Sequence, residues 1–173
     1  MHLGSLFTAV ASYLHARYHQ GLWLLRIDDL DTPRNKEGSV AAILNTLEAF
    51  GLYWDGSVYY QSQHLDSYES FLTELAYSQL TYRCTCSRKL LADPFPDDNT
   101  NSKHNIYPGI CRDKRISADK PHAIRLKIGD CALSFQDELQ GLNCHNLARL
   151  HGDFILKRKD RIIAYQFAVV VDD

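Results

Sequence analysis

The chain has 173 residues, of which 45% are hydrophobic and 23% charged, and its formal net charge is −2 at pH 7. This composition is typical of a globular domain that buries a core of its own, and the charge excludes a uniformly basic nucleic-acid binder but not a local basic face. No run approaches the roughly 20 apolar residues of a membrane span, and no charged segment followed by an apolar run indicates a signal peptide.

The first predicted elements are a helix and a strand. Ser5 is a candidate N-cap, and Gly21 is the predicted end of the helix that follows it. One face of this helix carries apolar or long side chains at three- and four-residue steps: Leu6, Val10, Tyr13, Leu14 and Arg17 or Tyr18. The short apolar run 22–27 that comes next is typical of a buried strand.

Two more helices and a short strand follow. Apolar residues three and four apart predict a helix over 40–50, which Gly51 ends. The same spacing predicts another helix over 65–76. Between these helices, Asp55 and Gly56 indicate a turn before a short strand. Because helices and strands alternate in this way, the pattern favours an α/β layer fold with a parallel sheet.

The second half of the chain has a different character. Residues 82–115 are polar, proline-bearing and aperiodic, and a structureless loop of that length is uncommon unless something ties it down. Alternation at period two over 123–128 and the run 131–139 predict strands. The segment 153–167 is interpreted as a hairpin that turns near Lys159-Asp160.

The use of cysteine indicates a metal site. The chain has five cysteines, an odd number that, without a signal peptide, favours a reducing compartment in which clustered thiols are more often metal ligands than disulfides. Cys84 and Cys86 are one residue apart and can reach the same ion, and Cys111 supplies a third thiolate. Zinc here would order the long polar segment, so we prefer it to three free thiols.

The residues alone leave the fourth zinc ligand open. Tyr107, His104, His122, Cys131 or water could complete the tetrahedron. A tyrosine ligand is unusual, since its phenol must lose a proton, and only a nearby cation makes that loss easy near neutral pH.

The opening residues have the composition of a phosphate-binding turn before a helix. Gly4 lets a ligand approach the backbone, and the N–H groups of the first helical turn attract phosphate together with the helix dipole. His2 could donate a hydrogen bond to the charge that develops on a transferring phosphoryl group. By itself, so short a pattern more often marks only the start of a helix.

Two kinds of charged segment remain. The acidic segment 28–31 follows a predicted strand, where ligands bind in doubly wound folds, although on the residues alone a solvated loop that caps the next helix is favoured. Basic residues recur at 88–89, 112–115 and 157–161. Such runs are usually solvated, but several that converge would suit a sugar-phosphate backbone.

One ordered set of motifs covers almost the whole chain: HLGS, LLRIDDLDTPR, GLYWDG, YQSQ, YRCTCSR, a later Y-x-x-x-C, AIRLK, GDFILKRKD and AYQFAVVVDD. Together they resemble the glutamyl-Q tRNA(Asp) synthetases, which are short paralogues of the catalytic core of glutamyl-tRNA synthetase. The resemblance implies an α/β fold, a Rossmann-like class I synthetase core of the HIGH-type nucleotidylyl transferases with a zinc-bearing insertion.

The resemblance also implies a tRNA-modifying ligase. Such an enzyme activates glutamate with ATP, which we expect to be used together with Mg²⁺, and releases pyrophosphate. It then transfers glutamate to the queuosine base of tRNA(Asp). The expected partners are therefore glutamate, ATP and queuosine-bearing tRNA(Asp), and we expect a monomer in the cytoplasm without membrane contact.

Site residues are implied in the same way. HLGS matches the HIGH signature, so His2, Gly4 and Ser5 are implied ATP contacts. Tyr165 matches a tyrosine that contacts the bound glutamate. Asp28 matches an acidic position, generally Glu, that holds the amino acid, and its side chain is one methylene shorter than Glu.

The zinc set of the family is a Cys-x-Cys pair followed by a tyrosine and a cysteine. Cys84, Cys86, Tyr107 and Cys111 match it. The resemblance therefore raises Tyr107 above His104 as the fourth ligand.

The sequence also departs from the family. The first sheet strand before HLGS, and the KMSKS-type lysine loop beyond Asp173, are absent from this sequence. We accordingly expect 1–80 to form the first half of the Rossmann-like core and 81–160 the zinc-bearing insertion with antiparallel strands. Residues 161–173 are expected to form a truncated return to the core, and this chain alone is expected not to activate glutamate.

Three other interpretations stay open at this point. The chain could come from a discriminating glutamyl-tRNA synthetase, which differs in having a downstream anticodon-binding domain. It could be a non-catalytic, zinc-stabilised module that binds tRNA without ATP turnover. It could also be the inactive product of a degraded gene.

Overall fold

A computed structural model describes residues 1–92 and 106–173. Its helices are α1 Leu3–Tyr18, α2 Ser39–Ala49, α3 Leu65–Tyr77, α4 Arg88–Ala92, α5 Leu147–Leu150 and α6 Tyr165–Asp172. Its strands are β1 Arg26–Ile27, β2 Tyr59–Tyr60, β3 Thr81–Cys84, β4 Ala123–Leu126, β5 Ala132–Asp137, β6 Gly141–Asn146 and β7 Ile155–Lys157.

The chain divides into two compact units, Met1–Leu65 and Asp66–Asp173, each of which is described by itself. The functional division into 1–80, 81–160 and 161–173 stays a prediction. No helix among the described residues is long and apolar enough to cross a membrane.

In the first unit, α1 and α2 enclose a core around Trp23. The indole N–H of Trp23 donates to Ser12 Oγ at 3.0 Å. The part of α1 that packs here consists of Leu6, Ala9, Val10, Tyr13 and Ala16. The prediction that Leu14 and Tyr18 share this face is wrong, because their side chains lie about 100° or more around the helix from the centre of the packed stripe. They are 60% and 83% exposed.

The predicted strand over 22–27 is shorter than expected. Only β1 is paired, in parallel with β2, through Arg26 opposite Tyr59 and Ile27 opposite Tyr60. Trp23 is buried whereas its neighbours Leu22 and Leu24 are exposed, so this run is covered on one face and not on both. The parallel pairing agrees with the predicted α/β organisation.

Three helices end in the same hydrogen-bonded motif, with one residue in the left-handed conformation. That residue is Gly51 after α2, as predicted, but Gln20 after α1 and Gln79 after α3. The predicted end at Gly21 is displaced by one position, since Gly21 follows the left-handed residue and donates its N–H to the carbonyl of Ala16 at 2.8 Å.

The second unit contains an antiparallel sheet in the order β3-β4-β7 and a separate antiparallel pair, β5-β6. The predicted strands over 123–128 and 131–139 are confirmed as β4 and β5. Strand β6, which pairs with β5 along its whole length, was not predicted.

The predicted hairpin over 153–167 is only half confirmed. β7 is its first arm, but the return arm is reduced to one bridge between Lys157 and Ile163. The segment from Tyr165 onward is helix α6 instead. Burial of Phe167 and Ala168, and a 2.8 Å hydrogen bond from Tyr68 Oη to Asp172, favour the helix over a strand.

Candidate metal centre and nucleotide-binding helix start

Three thiols meet in the second unit. Cys84 is the buried last residue of β3, Cys86 follows two positions later, and Cys111 is buried in a turn. Their sulfur atoms all lie within 4.8 Å of one another, and Cys86 Sγ is 3.5 Å from Cys111 Sγ. The turn depends on Gly109, whose φ of +74° lies in the left-handed region that favours glycine.

Tyr107 brings a fourth polar atom to these thiols. Its Oη is 3.4 Å from Cys84 Sγ and 3.6 Å from Cys86 Sγ. It also accepts the backbone N–H of Cys111 at 2.9 Å. The tyrosine ring is buried, so the four residues form a closed cluster, which we name the metal centre (Cys84, Cys86, Tyr107 and Cys111).

The spacing of these donors suits a tetrahedral zinc ion. With Zn–S bonds of about 2.3 Å and a Zn–O bond of about 2.0 Å, a tetrahedron separates two sulfurs by about 3.8 Å and a sulfur from the oxygen by about 3.5 Å. The sulfur-to-phenol distances of 3.4 and 3.6 Å match the second value. The donor set therefore fits the group that the resemblance implies.

The other candidate fourth ligands do not join this cluster. Nδ1 of His122 lies 2.6 Å from the carbonyl oxygen of Lys120, and Cys131 is exposed beyond the end of β4. Neither belongs to the group of potential metal ligands found among the described residues. His104 lies outside the described residues.

The pKa values of the donors in the cluster are shifted in different directions. Burial and hydrogen bonds with the thiols raise the pKa of Tyr107 far above its ordinary value, and burial raises the pKa of Cys86. Burial acts in the same direction at Cys111, but hydrogen bonds from the backbone of Thr85 and from Tyr107 outweigh it and lower the pKa of that thiol to about 7. A divalent cation among the donors would favour loss of the remaining protons.

The buried Arg125, which the sequence analysis did not single out, lies over the ring of Tyr107. The guanidinium carbon of Arg125 lies 3.7 Å from the centre of the Tyr107 ring, and Nη1 donates to the carbonyl of Asp153 at 2.6 Å. A cation at this position attracts the ring face and favours an anionic phenol. No sequence signal indicated this, because alternation in AIRLKI places the two isoleucines and the leucine on the apolar face and Arg125 on the other, whereas the structure buries Ala123 and Arg125.

The carboxylate of Asp153 accepts hydrogen bonds from three different segments of the second unit. This buried carboxylate accepts them from Tyr82 Oη at 2.7 Å, from Arg112 Nη1 at 2.9 Å and from the backbone N–H of Ile128 at 2.8 Å. Burial, together with this carboxylate, raises the pKa of Tyr82, so the phenol stays a donor. Arg112, one of the basic residues noted in the sequence, therefore forms an ion pair with a buried carboxylate.

The glycine before Asp153 lies against the backbone of Tyr107. Gly152 has a φ of +61° and forms a parallel bridge with Tyr107. A Cβ at this position would lie 2.9 Å from Cγ2 of Ile106 and 3.0 Å from the carbonyl oxygen of Tyr107. The approach of the two backbones thus requires a residue without a side chain.

The HLGS residues lie at the start of α1 in the first unit. His2, and not Ser5 as predicted, is the N-cap residue, with extended φ and ψ of −76° and 154°. The first helical hydrogen bond runs from Leu6 N–H to His2 O at 3.0 Å, so the N–H groups of residues 3–5 precede it. Open space surrounds Gly4, where an added Cβ would meet nothing within 4 Å.

The acidic segment 28–31 has both neighbouring and distant partners in the first unit. Asp28 accepts a hydrogen bond from Arg26 Nε at 2.9 Å, and Asp29 accepts the backbone N–H of Ser62 at 2.8 Å. No side-chain hydrogen bond from Asp31 caps the 3₁₀ turn that follows it. Asp28 belongs to the first unit, and Tyr165 is exposed at the start of α6 in the second unit.

A family model and curated relatives both match this chain to tRNA synthetases. Residues 1–173 match the family described as "tRNA synthetases class I (E and Q), catalytic domain". Two curated relatives, from Acinetobacter baylyi and Pseudomonas paraeruginosa, are each 47% identical over 173 residues and are both named glutamyl-Q tRNA(Asp) synthetase. The match covers 100% of this chain and 56% of each relative, so the chain spans little more than half of their length.

Two solved structures share the fold. They are a glutamate tRNA ligase from Elizabethkingia meningosepticum, in complex with its amino acid, and a glutamate-tRNA synthetase from Elizabethkingia anophelis. Their TM-scores are 0.81 and 0.82, each is 25% identical to this chain, and the match covers 100% of this chain and 39% of theirs.

Proposed function

Since this chain belongs to the family of class I tRNA synthetase catalytic domains for glutamate and glutamine, we propose that the protein is a tRNA-modifying ligase. It activates glutamate with ATP and transfers it to the queuosine base of tRNA(Asp). The observation that carries this proposal is a difference in identity. Relatives with the glutamyl-Q name are 43–47% identical over the chain, against 25% for the matched glutamate ligases.

The start of α1 is the proposed site for the ATP phosphates. Its extended N-cap, its free first-turn N–H groups and the open space at Gly4 suit a bound anion. His2, Gly4 and Ser5 are the proposed contacts, and Mg²⁺ would accompany the nucleotide. Adenylate formation needs the glutamate carboxylate in line with the α-phosphorus, so these residues act mainly by positioning.

Asp28 and Tyr165 are the proposed contacts for glutamate. The carboxylate of Asp28 suits the ammonium group of the amino acid, and the exposed Tyr165 hydroxyl can donate or accept a hydrogen bond. Asp28 already accepts a hydrogen bond from Arg26, which holds its carboxylate in one orientation.

The metal centre is proposed to hold one structural Zn²⁺. Four protein donors leave no open position for substrate, which is the arrangement of structural zinc sites. The ion would join β3 to the turn at Cys111 and so close the long polar segment between them. The five free thiols of the chain suit a reducing compartment, so we place the protein in the cytoplasm. We expect it to act as a monomer.

The activity can be tested with the complete gene product, ATP and labelled glutamate. We expect label to enter tRNA(Asp) that carries queuosine, and neither tRNA(Asp) without queuosine nor tRNA(Glu). Labelling of tRNA(Glu) would instead identify a glutamyl-tRNA synthetase. Binding of tRNA without any ATP–pyrophosphate exchange would identify a non-catalytic RNA-binding module.

Substitution of Tyr107 by Phe tests the fourth ligand. We expect zinc affinity to fall about 10- to 100-fold, because one donor is lost while three thiolates remain. In the Co²⁺-substituted protein the sulfur-to-cobalt charge-transfer band should persist while the ligand-field bands change. Tyr77→Phe, at an exposed position of α3, is the matched control. Unchanged zinc affinity in Tyr107→Phe would exclude the phenol as a ligand.

A further inference from the structure

Tyr165, the proposed glutamate contact, lies on a short helix that is held in place by other segments of the second unit. Helix α6 begins at Tyr165 and has only 8 residues. A helix of about two turns is not stable by itself in water, so its place in the fold depends on its tertiary contacts. The direction of the Tyr165 side chain, which is 65% exposed, therefore depends on how α6 is held.

The beginning of α6 is held by β7 and by apolar packing. The N–H of Ala164, the N-cap residue, donates to the carbonyl of Leu156 at 2.8 Å. Phe167 and Ala168, within the helix, are buried. Apolar burial is non-directional, so it keeps the helix against its neighbours but leaves its rotation about its own axis less well defined.

The end of α6 is held by a hydrogen bond from α3. Tyr68 Oη donates to Asp172 and lies 2.8 Å from one carboxylate oxygen and 3.0 Å from the other. The side chain of Tyr68 is fully buried, so its packing presents the hydroxyl at a fixed point. A hydrogen bond to a carboxylate is directional and stronger than one between neutral groups.

The residue that Tyr68 holds lies on the same face of α6 as Tyr165. Tyr165 and Asp172 are the first and last residues of the helix. Side chains at this spacing are only about 20° apart around a helix axis and about 10 Å apart along it. A directional bond at Asp172 therefore fixes the rotation of α6 and, with it, the direction in which Tyr165 projects.

We propose that Tyr68 is a positioning residue for glutamate, which acts through α6 and Tyr165. Helical spacing explains why residue 68 is buried, but phenylalanine would fill that space equally well, so the spacing does not explain the hydroxyl. Its role is to hold Asp172 and so direct the Tyr165 hydroxyl at the amino acid. The inference rests on the proposed function, because Tyr165 is a glutamate contact only in a protein that activates glutamate.

The test is ATP–pyrophosphate exchange by the complete gene product with Tyr68→Phe, which removes the hydroxyl and keeps the buried ring. We expect KM for glutamate to rise about 3- to 10-fold, the range for loss of one hydrogen bond, while KM for ATP and kcat change by less than about twofold. A purely structural defect would instead reduce the amount of active enzyme, and so lower the apparent kcat without changing KM for glutamate. Tyr77→Phe, at an exposed position of the same helix, is the matched control and should leave all three values unchanged.

A double-mutant cycle tests the route from Tyr68 to the substrate. Tyr165→Phe removes the hydroxyl that α6 is proposed to direct, so addition of Tyr68→Phe to it should raise KM for glutamate by less than about twofold further. An unchanged KM in Tyr68→Phe, or its full effect in the Tyr165→Phe background, would overturn the inference.

The wild-type assay separates this inference from the proposed function. A complete gene product that performs no glutamate-dependent exchange would refute the proposed function, and the inference with it. A wild type that exchanges normally, together with a Tyr68→Phe variant whose KM for glutamate is unchanged, would refute the inference alone.

Discussion

Replacement of Cys84 by Ser is expected to abolish stoichiometric zinc binding and to lower the melting temperature by about 10 °C or more. Cys84 is almost fully buried at the end of β3, and its sulfur lies 3.4 Å from Tyr107 Oη. Serine has the same shape, but its hydroxyl is a far poorer zinc ligand than a thiolate. The long segment before Cys111 would then lose the attachment that offsets its closure entropy.

Zinc content by atomic emission and thermal melting with and without chelator measure this effect. Chelation of the wild type should lower its melting temperature toward that of Cys84→Ser and leave the variant unchanged. Cys144→Ser, at an exposed position of β6, is the matched control and should keep one zinc per chain. A chelator-insensitive wild type that carries no zinc would refute the proposed metal centre.

Replacement of Gly152 by Ala is the second large expected effect, about 3 kcal/mol or more of unfolding free energy. The new methyl group would adopt a left-handed backbone and would also lie 2.9 Å from Cγ2 of Ile106 and 3.0 Å from the carbonyl oxygen of Tyr107. The backbone of Tyr107 must then move, which displaces its phenol from the thiols. We therefore expect zinc affinity to fall together with stability.

Gly141→Ala separates backbone strain from crowding. Gly141 has a φ of +78°, but a Cβ there would meet nothing within 4 Å. We expect it to cost only about 1 kcal/mol, the usual price of a left-handed alanine, with no loss of zinc. Urea unfolding gives both values. If the two variants lose equal stability, the close approach of Gly152 to Tyr107 is not what limits that position.

Local sequence patterns were enough to predict several helices of this protein and its family. Helices over 40–50 and 65–76 were predicted because residues three and four apart form one face of a helix wherever that helix packs. The end of α2 at Gly51 followed from the only residue type that adopts a left-handed backbone at no cost. The family itself followed from motifs in a fixed order, which need no knowledge of their contacts.

The tertiary structure alone decided how distant residues meet. Gln79 ends α3 in a left-handed conformation without any glycine signal, Gln20 and not the adjacent Gly21 does so after α1, and Tyr165 begins a helix where the pattern favoured a strand. The family resemblance favoured Tyr107 as the fourth ligand, but only the folding together of β3 and the turn at 109–111 places its phenol against the thiols and leaves His122 and Cys131 apart from them. Spacing along a chain constrains only neighbours, whereas a ligand set or a charged face depends on which strands pair and which side each residue occupies.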